Sequence, residues 1–133
     1  MNREAPNVLL ADDDADDQDF FRAAMQRVFP QSEVRTFNDG NELMEYLNSC
    51  PMHSLPDSIV LDYKMLPDSA PVFLRATGAG TRYCQVTKIV WSSSHLKSNM
   101  DECLNLGANS FVIKPDTDSQ LDDLLKSLAR LTR

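Results

Sequence analysis

Short runs of apolar residues alternate five times with segments of helical periodicity along this chain. The first run, Val8 to Ala11, is apolar throughout, as expected of a strand that is buried on both faces. Apolar residues then recur at the spacing of one helix face, at Phe21, Ala24, Met25 and Val28. Strict alternation of buried strands with helices predicts an α/β fold, a doubly wound parallel sheet of five strands.

The remaining predicted elements repeat the same order. Strands are expected over 33–37, 58–62, 86–91 and 111–113, and apolar faces mark helices within 43–50, 70–77, 96–104 and 121–128. The strand at 33–37 is more polar than the first and is expected nearer an edge of the sheet. Gly107 follows the fourth helical pattern, at a place where glycine commonly ends a helix.

Composition argues against several classes of function. The chain has 133 residues, 42% of them hydrophobic, which fits a single soluble globular domain over 1–133 without an output domain. A net charge of −7 argues against direct binding to nucleic acid or to anionic membranes. No signal peptide or membrane-spanning run is visible, so a cytoplasmic protein is expected. The three cysteines, Cys50, Cys84 and Cys103, are expected to be small buried thiols rather than disulfide partners or zinc ligands.

Polar residues that end the predicted strands form a chemically coherent set. Parallel sheets bind ligands outside the carboxyl ends of their strands, where the strand order reverses. The residues at those ends are Asp12, Asp13, Asp62, Ser92 and Lys114. Three converging carboxylates disfavour one another's ionisation unless a cation lies among them, and hard oxygen ligands suit Mg²⁺. Together with a hydroxyl and an ammonium, they indicate phosphoryl transfer onto Asp62.

Other polar and aromatic residues have simpler interpretations. Four aspartates near the start of the first helix are expected to be solvated charges that interact favourably with the helix dipole, and not metal ligands: Asp14, Asp16, Asp17 and Asp19. His53 and His95 are expected to be exposed loop residues. Tyr63 and Trp91 are interpreted as aromatic partner contacts near the site, and for Trp91 a place in the core is an equal alternative.

With these residues in place, the chain resembles a bacterial two-component response-regulator receiver domain, the CheY-like family, over nearly its whole length. The matching motifs are the acidic pair Asp12-Asp13, the acceptor Asp62, the switch hydroxyl Ser92, the aromatic Phe111 and the pair Lys114-Pro115. Gly107-Ala108-Asn109 also matches the approach to the fifth strand. The resemblance implies a flavodoxin-like (βα)5 fold with strand order 2-1-3-4-5.

The resemblance also implies a mechanism of phosphorelay signal transduction. A sensor histidine kinase or histidine phosphotransfer protein would supply the phosphoryl group to Asp62, which makes the chain a phosphoprotein and not a turnover enzyme. Mg²⁺, or Mn²⁺ in its place, would be bound by Asp13 and Asp62, by the backbone carbonyl of Lys64, and by Asp12 through water. Ser92 and Lys114 would bind the phosphoryl oxygens.

Switching and partners follow from the same resemblance. Ser92 and Phe111 would move together and change the face formed by the fourth helix, fifth strand and fifth helix, where a downstream protein binds. A cis Lys114-Pro115 bond is expected to aim the ammonium. Ser94 occupies a position that, in this family, can tune the access of water to the phosphoryl group. A monomer or weak dimer is expected, and neither membrane nor nucleic acid is a direct partner.

The third loop departs from the family pattern. Lys64 stands where the family often has Asn, and we expect it to weaken metal affinity or to alter the lifetime of the phosphoryl group. Leu66 replaces the usual proline, Pro67 comes one residue late, and Ala70 occupies the place of a glycine.

Two alternatives remain open at this point. One is a receiver-like interaction module with impaired phosphorylation, which the altered third loop leaves open although the presence of the acidic pair, Asp62, Ser92 and Lys114 argues against it. The other is a phosphohydrolase with an Asp nucleophile, but that chemistry needs a second acid two residues after Asp62, where Lys64 stands.

Overall fold

The computed structural model describes residues 6–65, 68–94 and 96–131. The strands of the main sheet are β1 Val8–Ala11, β2 Val34–Phe37, β3 Ser58–Asp62, β4 Thr87–Ser92 and β5 Ser110–Ile113. The helices are α1 Ala15–Val28, α2 Gly40–Ser49, α3 Ala70–Ala76, α4 Lys97–Asn105 and α5 Asp118–Leu131. A short 3-10 helix, Met52–Ser54, and an antiparallel pair of two-residue strands, Lys64–Met65 and Asp68–Ser69, complete the described elements. The expectations for Leu66, Pro67 and His95 lie outside the described residues.

All five main strands are parallel, and their order is β2-β1-β3-β4-β5. The predicted fold class and strand order are therefore confirmed. Strand order reverses between β1 and β3, because the chain leaves β1 toward β2 and later returns to its other side. Such a reversal opens a crevice at the carboxyl ends of the two strands.

Two apolar layers cover the sheet because successive residues of a strand point to opposite faces. Leu9, Ile59 and Val90 pack with residues of α2, α3 and α4. Leu10 and Ile89 pack on the other face with residues of α1 and α5. The unbroken apolarity of the central strands therefore follows from burial on both faces.

Gly107 ends α4 in a Schellman motif, as its position in the sequence predicts. The Ala108 N–H donates to the Cys103 carbonyl at 3.0 Å, and the Gly107 N–H donates to the Leu104 carbonyl at 3.2 Å. Gly107 itself has φ of +110°, a conformation that L-residues with a side chain rarely adopt. This turn sets the entry of the chain into β5, which leads to Lys114.

Burial departs from expectation at several positions. Cys84 is exposed, so the prediction of three buried thiols is wrong for this residue, which lies in the loop before β4. On α4 only Cys103 is buried, while Leu96, which precedes the helix, and Leu104 are 57% and 42% exposed. Trp91 is 1% exposed and belongs to the core, which was one of the two alternatives for this residue.

Within the described residues, no helix is both long and apolar enough to cross a bilayer.

Lys88, on β4, is buried although it carries a charge. Its ammonium donates to the carbonyls of Thr77, at 2.8 Å, and Tyr83, at 2.9 Å, both in the connection between α3 and β4. Burial lowers the pKa of Lys88. The hydrogen bonds fix this connection to the amino-terminal end of the strand.

Replacing Gly107 with alanine tests the turn that leads into β5. The positive φ predicts that Gly107→Ala lowers the free energy of unfolding by about 1 kcal/mol, measured by urea denaturation. Gly40→Ala is the matched control, because Gly40 begins α2 in open space and without a positive φ. It should leave stability unchanged or raise it. Equal losses in the two variants would contradict the strained-turn explanation.

Candidate functional site

The carboxyl ends of β1, β3, β4 and β5 bring the predicted strand-end residues to one edge of the sheet. Carboxylate oxygens of Asp12, Asp13 and Asp62 lie within 4.8 Å of one another. The Lys114 ammonium lies 3.1 Å from Asp12 Oδ2 and 3.3 Å from Asp62 Oδ2. The site therefore lies at the reversal of strand order, where the topology places a ligand crevice.

Asp12 is fully buried, and its carboxylate is held from several sides. Asp12 Oδ1 accepts a hydrogen bond from the Asp14 N–H at 2.9 Å. Asp12 Oδ2 accepts one from the Trp91 indole N–H at 3.1 Å and also faces Lys114. Asp62 is 6% exposed, whereas Asp13 is exposed. Two buried carboxylates and one open to solvent thus share the site.

Asp17 also belongs to this site, and its interpretation as a purely solvated charge is wrong. Asp17 Oδ2 lies 2.8 Å from the Lys114 ammonium, which is the shortest of the three ion pairs that Lys114 makes among the described residues. The side chain is 29% exposed. The structural reason is the start of α1: its N-cap Asp14 follows β1 closely, so the first turn of the helix, which includes Asp17, lies beside the strand ends.

The other aspartates of this segment behave as expected. Asp14 is the N-cap of α1, and its carboxylate accepts the N–H groups of Asp16 at 2.8 Å and Asp17 at 3.3 Å. Asp16 and Asp19 are exposed, and Asp19 pairs with Arg22.

Gln18 supports the site, although nothing in the sequence distinguished it from an ordinary helical residue. It is buried, and its side-chain amide donates to the Asp12 carbonyl at 2.6 Å and to Asn38 Oδ1 at 3.0 Å. Gln18 thereby ties the first turn of α1 to the end of β1 and to the loop after β2. A Gln at this helix position gives no sequence signal, because its role depends on the fold.

Burial and like charge shift the protonation equilibria of the site. Burial, followed by the nearby Asp12 carboxylate, raises the pKa of Asp62 to about 6. Burial also raises the pKa of Asp12. For Lys114, burial lowers the pKa, but the three carboxylates outweigh it and the net pKa is raised. The ammonium therefore stays charged while the two buried carboxylates resist ionisation.

The residues expected to act as switches lie at different heights in the sheet, Ser92 at the end of β4 and Phe111 near the start of β5. Ser92 is buried, and its hydroxyl accepts the Ser94 N–H at 3.2 Å, while its carbonyl accepts the Lys114 N–H at 2.8 Å. Phe111 is half-buried, and its ring centroid lies 6.1 Å from that of Tyr63.

Lys64 takes part in the site through its backbone. Its N–H lies 3.4 Å from Asp62 Oδ1, and its side chain is exposed. Of the two lysines near Asp62, Lys114 is the one whose ammonium forms the ion pair.

The donor set fits a divalent cation. Three carboxylates supply hard oxygen ligands, and they are too few to complete a shell without water or a phosphoryl group, which is typical of Mg²⁺ and Mn²⁺ sites. A divalent charge would also relieve the repulsion between Asp12 and Asp62.

Comparisons with known proteins agree with the fold. No protein-family model matches the chain. The chain is 27% identical over 128 residues to the rice (Oryza sativa subsp. japonica) two-component response regulator ORR5, covering 95% of this chain and 90% of that protein. Because this relative is a plant protein, the comparison does not confirm the expectation of a bacterial response regulator.

Solved structures of response regulators superpose on nearly the whole chain. The phosphorylated cyanobacterial phytochrome response regulator RcpA matches with a TM-score of 0.82 at 23% identity, over 96% of this chain and 93% of that one. The Mn²⁺-bound form of response regulator Rcp1 matches with a TM-score of 0.78 at 17% identity, over 92% and 91%. The chain therefore has the fold of response-regulator receivers.

Removing the Asp62 charge should stabilise the metal-free protein. Because Lys114 keeps Asp12 and Asp17 as partners, Asp62→Asn removes a buried negative charge without leaving the ammonium unpaired. We expect a gain of about 1–3 kcal/mol in the free energy of unfolding at pH 7, measured by urea denaturation with a chelator.

The sign of the pH dependence of this stability gain follows from the raised pKa of Asp62. The folded state holds the Asp62 proton to about pH 6, whereas the unfolded state releases it near 3.8, so the wild type loses stability as pH rises between them. The gain from Asp62→Asn should grow over that interval and level off above it. Asp13→Asn, at an exposed position, is the control with a smaller effect. A loss of stability in Asp62→Asn at pH 7 would contradict the prediction.

Proposed function

We propose that the chain is the receiver of a two-component system and accepts a phosphoryl group on Asp62 from a phosphohistidine. The observation that carries this proposal is the Lys114 ammonium 3.3 Å from Asp62 Oδ2, beside three carboxylates whose oxygens lie within 4.8 Å of one another. The likeness to response regulators supports it.

The transfer needs positioning and charge neutralisation more than proton chemistry. A carboxylate oxygen of Asp62 attacks phosphorus, an O–P bond forms, and the N–P bond of the donor histidine breaks. The electron pair of the broken bond stays on the imidazole nitrogen. The imidazole leaves in its neutral form if its other nitrogen carries a proton, and otherwise it takes a proton from solvent. Lys114 donates to a phosphoryl oxygen and the Ser92 hydroxyl to another. Asp13, Asp62 and the Lys64 carbonyl, with Asp12 through water, would hold a Mg²⁺ ion, which would supply positive charge next to the phosphoryl group.

The acyl phosphate then acts as a switch. The Ser92 hydroxyl, which now accepts the Ser94 N–H, turns toward the phosphoryl group, and Phe111 turns inward. Differential contacts with the phosphoryl group shift an equilibrium between two conformations. The α4-β5-α5 face, where Leu104 and Ile113 are exposed, would change its partner affinity.

We propose signalling rather than turnover as the role of this chemistry. Lys64, two residues after Asp62, is exposed and supplies no acid for a leaving group, which weighs against a phosphohydrolase. Hydrolysis of the acyl phosphate would return Asp62 as a carboxylate and release inorganic phosphate.

Acetyl phosphate provides a direct test. The protein is incubated with Mg²⁺ and acetyl phosphate, and mass spectrometry should find one phosphoryl adduct on Asp62, with acetate as the leaving group. Asp62→Asn should abolish the adduct, and a chelator should do the same in the wild type. Asp101→Asn, on the exposed surface of α4, is the control that keeps it. No adduct on a folded, metal-loaded protein would favour the interaction-module alternative.

Lys64→Asn tests the proposed tuning role of the residue two positions after Asp62. The exposed ammonium adds positive charge beside the proposed metal ligands, so its removal should tighten Mg²⁺ binding or change the rate of dephosphorylation by about twofold or more. Lys97→Asn, on α4, is the matched control. Unchanged metal affinity and phosphoryl lifetime in Lys64→Asn would contradict this role.

A further inference from the structure

We propose that Asp17 is a positioning residue: it shares the Lys114 ammonium with Asp12 and Asp62, weakens the hold of that ammonium on them, and so leaves those two carboxylates more available to a divalent cation. This inference rests on the proposed function, because it concerns the same site. Asp17 is not among the grouped carboxylates that could hold the ion. Its direct partner is Lys114.

The ammonium and a divalent cation would compete for the same oxygens. Lys114 contacts Oδ2 of Asp12 and Oδ2 of Asp62, and both residues are the buried members of the carboxylate group. An ammonium that bound only these two would offset more of their charge and would compete more strongly with the metal. The third contact, with Asp17 at 2.8 Å, draws the charge toward α1.

The position of Asp17 is fixed by its surroundings. The N-cap Asp14 accepts the Asp17 N–H at 3.3 Å, and the buried Gln18 next to it donates to the Asp12 carbonyl at 2.6 Å. These bonds hold the first turn of α1 over the strand ends. Lys114 is also confined, since its side chain is 17% exposed and its ammonium lies 5.6 Å from the centre of the Trp91 ring.

The same contact affects the phosphoryl step. An incoming phosphoryl oxygen must take the ammonium from Asp17 before Lys114 can stabilise the developing charge. Removing the Asp17 carboxylate should therefore have opposite effects on two measurements: weaker metal binding, and faster phosphorylation once metal is saturating. Simple loss of structure would lower both.

Mg²⁺ titration gives a readout that does not depend on phosphorylation. Trp91 is the single tryptophan of the chain and donates to Asp12, so its fluorescence should report metal binding, with calorimetry as the second method. We expect Asp17→Asn to raise the Mg²⁺ dissociation constant about three- to tenfold.

Asp16→Asn is the matched control because Asp16 lies in the same helical turn and carries the same charge, but is exposed. It should change the dissociation constant by less than about twofold. Asp17→Glu keeps a carboxylate within reach of Lys114 and should restore the wild-type constant. With acetyl phosphate and saturating Mg²⁺, Asp17→Asn should be phosphorylated about two- to fivefold faster than Asp16→Asn.

The outcomes separate the two proposals. Equal Mg²⁺ dissociation constants in Asp17→Asn and Asp16→Asn overturn the role of Asp17 and leave the receiver function standing. Parallel losses of metal affinity and phosphorylation in Asp17→Asn also overturn it. A wild type that binds Mg²⁺ but forms no adduct overturns the receiver function, while the titrations still decide the role of Asp17. A wild type that binds no Mg²⁺ overturns both.

Discussion

One ammonium shared among carboxylates is the interaction on which this site depends. Asp12 and Asp62 are buried close together, and two such charges are tolerated only beside a compensating cation. Lys114 supplies it from the end of β5, a segment more than fifty residues away in sequence. The packing of β1, β3 and β5 into one parallel sheet is what brings the three groups together.

The rest of the fold positions these groups and limits their movement. Trp91 occupies the layer against α1 and α5 and still donates to Asp12, so it links the apolar core to the charged site. The Schellman turn at Gly107 directs the chain into β5. The N-cap Asp14 starts α1 directly above the strand ends. Together these contacts hold the carboxylates in a geometry that fits a divalent cation.

The sequence was sufficient to predict the five main strands, the five α-helices and the five strand-end residues, because the periodicity of apolar residues follows local rules; the order of the strands in the sheet came from the family resemblance, and the two short antiparallel strands were not predicted. It could not assign Asp17, because a helix-start charge and an ion-paired charge have the same local pattern, and the partner Lys114 lies 97 residues away in sequence. Gln18 was missed for a related reason: its role arises from contacts across the fold. Cys84 was expected to be buried because thiols usually are, but its own side chain is exposed in a loop whose neighbouring Tyr83 and Val86 are buried.

The buried Lys88 has a mechanical consequence for β4. Its ammonium is bound by two carbonyls at the amino-terminal end of the strand, and both edges of β4 are bonded to neighbouring strands. Axial sliding would break a charged anchor and two ladders at once. If Ser92 acts as the proposed switch, we therefore expect torsion of its side chain to contribute more than axial displacement of the strand.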